Sequence, residues 1–510
     1  MNDKDRTNSW APTAVGEVSA LLRGITYNKE QSSKFPKPNF KPVLRANNIN
    51  GTLNFDDLVF VPEELISVDQ IIKAGDIIFA MSSGSKHLVG KSARARFDYD
   101  GSYGAFCALL RPCGSINRNY LYYIFQNNRF RRLISEVAKG SNINNLKREH
   151  ILDFEIDLPP LPEQYRIVAK IEELFSDLDK GIENLKTART QLKVYRQALL
   201  KHAFEGKLTV QWRAENRDKL ETAEALQKRI QTERTHRYQQ QLADWEAAGK
   251  QSSKPKAPKT LTPLTSEELA GFPEQPDGWG WIRLGNTNVD VSDGPFGSNL
   301  KSSDYVDGGV RVVRLENIGA LKFIEEKESY VTEEKYELLK RHTVSAGDIV
   351  FSSFIVENIR VALMPPSIKK AINKADCFRV RFSGETFSNV FVVLVLSTRH
   401  VYKQLQSLIH GVGRPRINTT QLKDVVIPVC SSAEQQIIVA EIESRLSEID
   451  QLELTITTSL QQADSLRQSI LKKAFSGQLV PQDPKDEPAA ALLARIKAQK
   501  ATQVTTAKPA

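Results

Sequence analysis

Residues 163–208 read EQYRIVAKIEELFSDLDKGIENLKTARTQLKVYRQALLKHAFEGKL, and residues 434–479 read EQQIIVAEIESRLSEIDQLELTITTSLQQADSLRQSILKKAFSGQL. Laid together without a gap, at a constant shift of 271, they agree at 19 of 46 positions. The agreement includes Glu163, Gln164 and Arg196, which a packing argument alone would leave on the surface. In the first copy Ile171, Leu178, Leu185, Leu192 and Leu199 stand seven apart, and so do Ile167, Leu174, Ala188 and Tyr195, with Gly181 filling the gap. The second copy keeps the seam with Ile442, Ile449, Ile456, Ala463 and Ile470. A period of 3.5 held over several heptads is the signature of a coiled coil, and two such apolar strips are expected to pack on each other. At ~1.5 Å rise per residue, such helices form a rod of about 60 Å, which can act as a ruler.

The repeat extends beyond the helices. Arg45-x-x-Asn48-Ile49 matches Arg314-x-x-Asn317-Ile318, the Ala-Gly-Asp run at 74–76 matches 346–348, and Ile143-Asn144 is paired with Ile417-Asn418. Between these landmarks the halves diverge freely, which suggests one scaffold with two different reading surfaces. The expected organisation is a disordered start (1–8), a β-rich domain (9–158), a long helix (159–208), a helical linker (209–277), a second β-rich domain (278–429), a second long helix (430–479) and a frayed, partly helical tail (480–510). The fold class is therefore α+β with a pseudo-twofold repeat.

A net charge of +9 and a pI near 9.1 suit a nucleic-acid partner. The four cysteines fall in no metal-ligand spacing and the first ten residues lack a signal-peptide core, so a cytoplasmic setting is expected. The longest apolar run, residues 390–396, is too short to span a bilayer, so no membrane partner is expected.

Catalytic motifs fail one by one. Gly84 to Gly90 has five intervening residues where a phosphate-binding loop needs four. Neither Pro159-Pro160 nor Pro365-Pro366 has the Asn or Asp before and the aromatic after that would clamp an adenine for methylation. The seven histidines are scattered, and Glu325-Glu326-Lys327 reads as a solvated charge run.

Base-reading chemistry is present in both halves. Ser82, Ser83, Ser85, Lys86 and Lys91 put hydroxyls and cations around glycines, where they can reach phosphates and base edges together. Arg45, Asn47 and Asn48, then Asn142 and Asn144, add amides that can read adenine. The second half offers Gly294-Pro295-Phe296-Gly297 followed by Ser298, Asn299 and Lys301, then Arg314 and Asn317, then Arg414, Arg416 and Asn418.

These residues closely resemble the DNA specificity subunit of type I restriction-modification systems, over about residues 9–480. The matching motifs are Arg-x-x-Asn-Ile, Ala-Gly-Asp, Gly-Pro-Phe-Gly-Ser-Asn, Pro-Pro-Leu-Pro-Glu-Gln and the terminal Ala-Phe-x-Gly of each helix. The first half departs by carrying Leu22-Arg23-Gly24-Ile25-Thr26-Tyr27 in place of Gly-Pro-Phe-Gly, so Arg23 and Tyr27 become its candidates there. Cys430 to Ala433 replaces Pro-Pro-Leu-x before the second helix, which leaves its starting point open. The resemblance implies two target-recognition domains separated by two conserved helices packed as an antiparallel coiled coil. It also implies a bipartite asymmetric duplex DNA site, two methyltransferase subunits using S-adenosylmethionine, and two restriction-translocation subunits using ATP and Mg2+. The chain itself would hold no cofactor or metal and do no catalysis. The rival readings are a stand-alone restriction enzyme or methyltransferase fusion, and a coiled-coil adaptor that reads no DNA.

Overall fold

The computed structural model describes residues 9–82, 89–137, 145–251, 253–384, 386–409 and 415–506. It divides into two compact units, Met1–Lys186 with Ile456–Ala510, and Thr187–Thr455. The boundary cuts both long helices, Leu161–Phe204 and Ser432–Ala474. Each unit thus holds one β-rich domain, the first half of the helix that follows it, and the second half of the other helix.

Within each unit the two helices run antiparallel. In the first, Ile167, Ile171 and Phe175 pack with Ile470, Leu471 and Ala474, while Arg467 pairs with Asp179 and lies over the Phe175 ring at 4.5 Å. In the second, Leu200, Ala203 and Phe204 pack with Ile438 and Ile442, and Arg196 reaches Asp450 and, at 3.7 Å, Glu453. Ile171, Leu199, Ile442, Ile449, Ile456 and Ile470 are buried. Leu178, Leu185 and Leu192 are only half-buried, because a two-stranded coil covers its seam from one side. Tyr195 departs from the expected seam and is 48% exposed.

The repeated end motifs have local causes. Gly206 and Gly477 take φ of +68° and +71°, the left-handed conformation that ends a helix. Lys207 N and Gln478 N then bond back to His202 O and Lys473 O, both at 2.9 Å. At the other end, Glu163, Gln164, Glu434 and Gln435 are buried, against the surface placement expected for the first pair. Gln164 Oε1 accepts from Asn117 N and its amide donates to Pro159 O, both at 2.9 Å. Gln435 repeats this with Ser388 N at 3.0 Å and with Thr386 O and Cys430 O. Asn117 and Ser388 are the N-caps of the domain helices Arg118–Gln126 and Asn389–Leu396. One glutamine therefore fastens each domain to its rod. The second helix starts at Ser432, where Ser431 Oγ accepts from Glu434 N at 3.2 Å and replaces the prolines of the first copy.

The two domains share a topology. In the first unit, strands Ser19–Arg23, Cys107–Pro112, Ile77–Ala80 and Ser92–Arg94 form an antiparallel sheet in that order. In the second, Val289–Ser292, Cys377–Phe382, Ile349–Ser352 and Val361–Leu363 do the same. A smaller sheet, three-stranded in one unit and five-stranded in the other, carries the Arg-x-x-Asn turn at the end of Phe40–Leu44 or Val310–Val313. The ribbons Ala11–Ala14 with Glu155–Leu158, and Gly280–Arg283 with Val426–Val429, bring each domain's two ends together. The Ala-Gly-Asp run works in the same way twice. Gly75 and Gly347 turn at φ +87° and +83°, and the buried Asp76 and Asp348 bind Arg111 and Arg381 across the sheet, with Nε to carboxylate at 2.9 and 2.6 Å.

Three expectations are corrected. Leu146 N donates to Met81 O at 2.7 Å just as Ile417 N donates to Ser353 O at 3.0 Å, so the counterpart of Ile417 is Leu146 and not Ile143. The constant shift of 271 extends back to that point. The tail, expected to be frayed and partly helical, is helical over Ala489–Thr506 and, among the described residues, docked instead of frayed. Helix Ala489–Thr506 buries Leu492, Leu493 and Ile496 in the first unit's core, and Lys500 donates to Gly16 O and Ser19 O. The linker is likewise part of a domain, since Leu226 and Ile230 of helix Ala223–Ala247 pack with Trp279 and Ile282 in the second unit.

Candidate nucleic-acid interface

The strand directions of the larger sheet gather one set of chain ends in each unit. In the first unit these are the end of Ser19–Arg23, the start of Cys107–Pro112, the end of Ile77–Ala80 and the start of Ser92–Arg94. Arg23, Tyr27, Ser82, Lys91, Phe106 and Asn145 therefore cluster around a single edge. Gly24 makes the crowding possible, because a Cβ there would stand 2.1 Å from Gly104 O. Met81 N and Ser82 N both donate to Phe106 O, at 2.8 and 3.2 Å, and Ser82 bridges to Asn145. Arg23 is exposed, while Tyr27 is half-buried with Ile25, Val43 and Val61, and that burial raises its pKa. Lys91 Nζ is held by Asn50 Oδ1 at 2.7 Å.

The same edge of the second unit is built on the same bonds and carries different side chains. Gly294 matches Gly24, with a Cβ there only 2.2 Å from Lys374 C. Ser353 N donates to Asp376 O at 2.9 Å, and Phe354 bridges to Arg416. Asp293 fastens the glycine loop, its Oδ1 accepting from Gly294 N at 2.7 Å and Asp376 N at 2.9 Å, while its carbonyl meets His342 Nδ1 at 2.8 Å. Burial pushes the Asp293 carboxyl up to about 6 against those hydrogen bonds. Phe296, Ser298, Asn299 and Lys301 are exposed on the loop. Arg416 is exposed, 3.4 Å from Asp376 Oδ1 and over the Phe354 ring at 5.9 Å.

Several candidates serve the scaffold instead. Asn48 and Asn317 are buried, and each accepts from the backbone N of its own Arg45 or Arg314. Their amides donate to Asp56 O, and to Ile324 O and Lys327 O. A side chain with its hydrogen bonds filled in the interior cannot read adenine, so Arg-x-x-Asn is a turn lock. Asn418 caps helix Thr419–Asp424, accepting from Gln421 N at 2.9 Å. Arg45 is tied to Asp57 at 2.7 Å, and Arg314 to Ser329 and Glu316, while Asn47 stands exposed beside them. Ser83, Ser85, Lys86, Asn142, Asn144 and Arg414 lie outside the described residues. The amide-rich stretch 142–145 was legible as a candidate, and of it Asn145 reaches the edge, but sequence reasoning passed over Phe106, Phe354 and Asp376. Phe106 had a readable signal, a large aromatic just after Gly104-Ala105 where a buried strand begins.

The first unit also holds a cleft of about 1220 Å3 beside its helix pair, lined by Arg94, Arg96, Phe97, Tyr122, Phe175 and Arg467 among others. Among the described residues no group of histidine, cysteine, aspartate and glutamate could hold a metal ion, and no helix is long and apolar enough to cross a membrane.

Residues 8–187 match the family model of the type I restriction modification DNA specificity domain. The chain is 30% identical over 519 residues to the StySPI type I restriction enzyme specificity subunit of Salmonella potsdam, covering 98% of this chain and 97% of that one. This chain belongs to the type I specificity subunits. The EcoKI specificity subunit of Escherichia coli K12 is 29% identical over 505 residues, 96% of either chain. Among solved structures, a chain described under the complex assembly and conformational transition of the type I R-M system superposes with a TM-score of 0.63 at 17% identity. That match covers 93% of this specificity subunit and 99% of the other chain, and shows the shared fold. Specificity subunits supply DNA recognition to these systems and not their catalysis. Two β-rich domains built with long helices are the fold expected from the sequence.

Proposed function

We propose that this specificity subunit reads a bipartite, asymmetric duplex DNA site, one half with each unit, across a spacer fixed by the helix pair. The observation that carries the reading is the shared sheet edge, presented twice on matching backbone bonds with different side chains in each unit. Exposed Arg23, and Arg416 with Asn299, Ser298 and Lys301, supply the cations, amides and hydroxyls that phosphates and base edges require. The helices, 44 and 43 residues long, suit a spacer of fixed length.

On this reading two methyltransferase subunits and two restriction-translocation subunits act where the chain directs them, with S-adenosylmethionine, ATP and Mg2+ bound by those partners, in the cytoplasm. Exposed Val194, Tyr195, Leu452 and Leu454 in the second unit, and Tyr165 and Leu466 in the first, offer apolar seats for partners along the rods. Adenine-methylation mapping of the host genome tests the proposal. One motif of two fixed half-sites, lost when this chain is deleted, is the expected result. A single continuous motif or none would overturn it.

A further inference from the structure

Each shared sheet edge displays one phenylalanine in water. Phe106 is 69% exposed and Phe296 is 56% exposed. Removing a phenyl ring from water is favourable, so a ring left out on a fastened turn forgoes that gain in the free protein. Neither ring sits on a loose loop. Phe106 lies in the turn closed by Cys107 N to Gly104 O at 2.8 Å, its carbonyl held by Met81 and Ser82. Phe296 precedes the turn Gly297–Asn299, with Asn299 N bonded to Phe296 O at 3.2 Å and the loop root fastened by Asp293. Their neighbours are polar, Ser82 and Asn145 in one unit, Ser298 and Asn299 in the other. A rigid apolar group among hydroxyls and amides matches the one apolar feature of the major groove, the C5-methyl of thymine.

The two rings come from different strands. The position of Phe106 is taken in the second unit by Asp376, as their shared backbone bonds show. The ring of Phe296 instead follows Gly294, whose counterpart in the first unit is Gly24. The same contact has thus been placed at two different points of one scaffold, where it would meet different positions of a half-site.

We infer that Phe106 and Phe296 are base-contacting side chains, each seated against a thymine methyl group in the half-site its unit reads. This rests on the proposal that the sheet edges face DNA. The test uses the full chain with its methyltransferase partners, on duplexes bearing the mapped site with each thymine replaced in turn by uracil, which lacks only the methyl. Phe106→Ala is expected to weaken binding about three- to fivefold, the worth of one buried methyl-sized contact. One uracil position in the same half-site should cost the unaltered protein an equal factor and cost the variant nothing further. Phe296→Ala should show the same coupling in the other half-site.

Additive losses with no coupled position, accompanied by a rise in 2-aminopurine fluorescence that the variants lack, would make the rings wedges between bases and overturn the methyl contact. Unchanged binding by both phenylalanine variants, with Arg23→Ala and Arg416→Ala still weakened, would overturn the inference and leave the sheet edges as the DNA face. Unchanged binding by all four would remove the DNA face itself. Exposed rings can be cut back without loss of packing, and circular dichroism verifies the fold.

Discussion

At the start of the central strand the first unit holds Phe106 where the second holds Asp376, yet both carbonyls accept the same bond from the neighbouring strand. The same holds one step away, where Ser82 pairs with Asn145 and Phe354 with Arg416. Backbone geometry is common to the units and side chains at the edge are not. A sheet end tolerates this, because its pairing satisfies the main chain whatever side chain projects beyond it. The largest test of the difference is an exchange of residues 9–158 for the corresponding domain of a relative. The ribbon Ala11–Ala14 with Glu155–Leu158 places both cut points side by side, so the exchange should replace one half of the methylated motif and leave the other. A change in both halves, read by methylation mapping, would show that the units do not read separately.

The rods should behave oppositely, as a shared property. Seven residues added to each helix near its middle, after Ala188 and after Thr458, keep the apolar stripe in phase and lengthen it by about 10 Å. About three base pairs of B-DNA span that distance, so the preferred spacer should grow by up to about that number. Two residues added at the same points turn the stripe off its partner and should abolish assembly with the methyltransferase. A binding selection over half-sites with varied spacers decides it. An unchanged spacer in an active seven-residue variant would reduce the rods to connectors.

The buried glutamates at the start of each helix sharpen the comparison within the scaffold itself. Glu434 accepts from Thr209 Oγ1 at 2.7 Å and from Arg213 Nη1 at 2.6 Å, a closed ion pair. Glu163, equally buried, makes no such pair, and although the Trp10 indole and Arg166 draw its pKa down, burial outweighs them and raises it above 4.5. Glu434→Gln leaves Arg213 without its countercharge and should cost about 3 kcal/mol. For Glu163 the sign reverses. A carboxyl whose pKa is raised on folding favours the fold while protonated, so that contribution is full below its ordinary value and is lost as pH rises through the raised one. Glu163→Gln should therefore raise the melting temperature, more at pH 8 than at pH 4. Equal losses for both variants in thermal unfolding would mean that the two sites are electrostatically alike.

Much of this was legible in the chain. The seam from Ile171 to Leu199, the glycine ends of the helices and the Glu-Gln starts are local patterns repeated without a gap; the glycine ends act locally, whereas Gln164 and Gln435 each reach a domain helix cap 47 positions away. The site was less legible because motif and contact part company there. Asn48 and Asn317 look like base readers in sequence and are consumed by the turns they lock, while Asn418 caps a helix. The cluster at each sheet edge joins residues as distant as Arg23, Phe106 and Asn145, which only strand order brings together. The tail helix was misread because its apolar face, Leu492, Leu493 and Ile496, is short and its partner lies at the far end of the chain, around Val15–Val18.

The smallest expected effect compares single cations. Arg23 is exposed at the first unit's edge, whereas Arg416 must leave Asp376 and the Phe354 ring before it can serve DNA. If both touch phosphate, alanine at either position should lower the slope of log affinity against log salt by about one unit, through one fewer counterion released. The loss in affinity should be smaller for Arg416→Ala, because the wild-type side chain gives up its contacts in the free protein to bind. Restoring the balance by Asp376→Asn should then tighten binding by the second unit and leave the first unit's half-site unaffected. Titrations of the full chain against duplexes altered in one half-site at a time separate the two contributions. A larger loss for Arg416→Ala than for Arg23→Ala, with no gain from Asp376→Asn, would mean that the pair to Asp376 holds the arginine ready for DNA and does not compete with it.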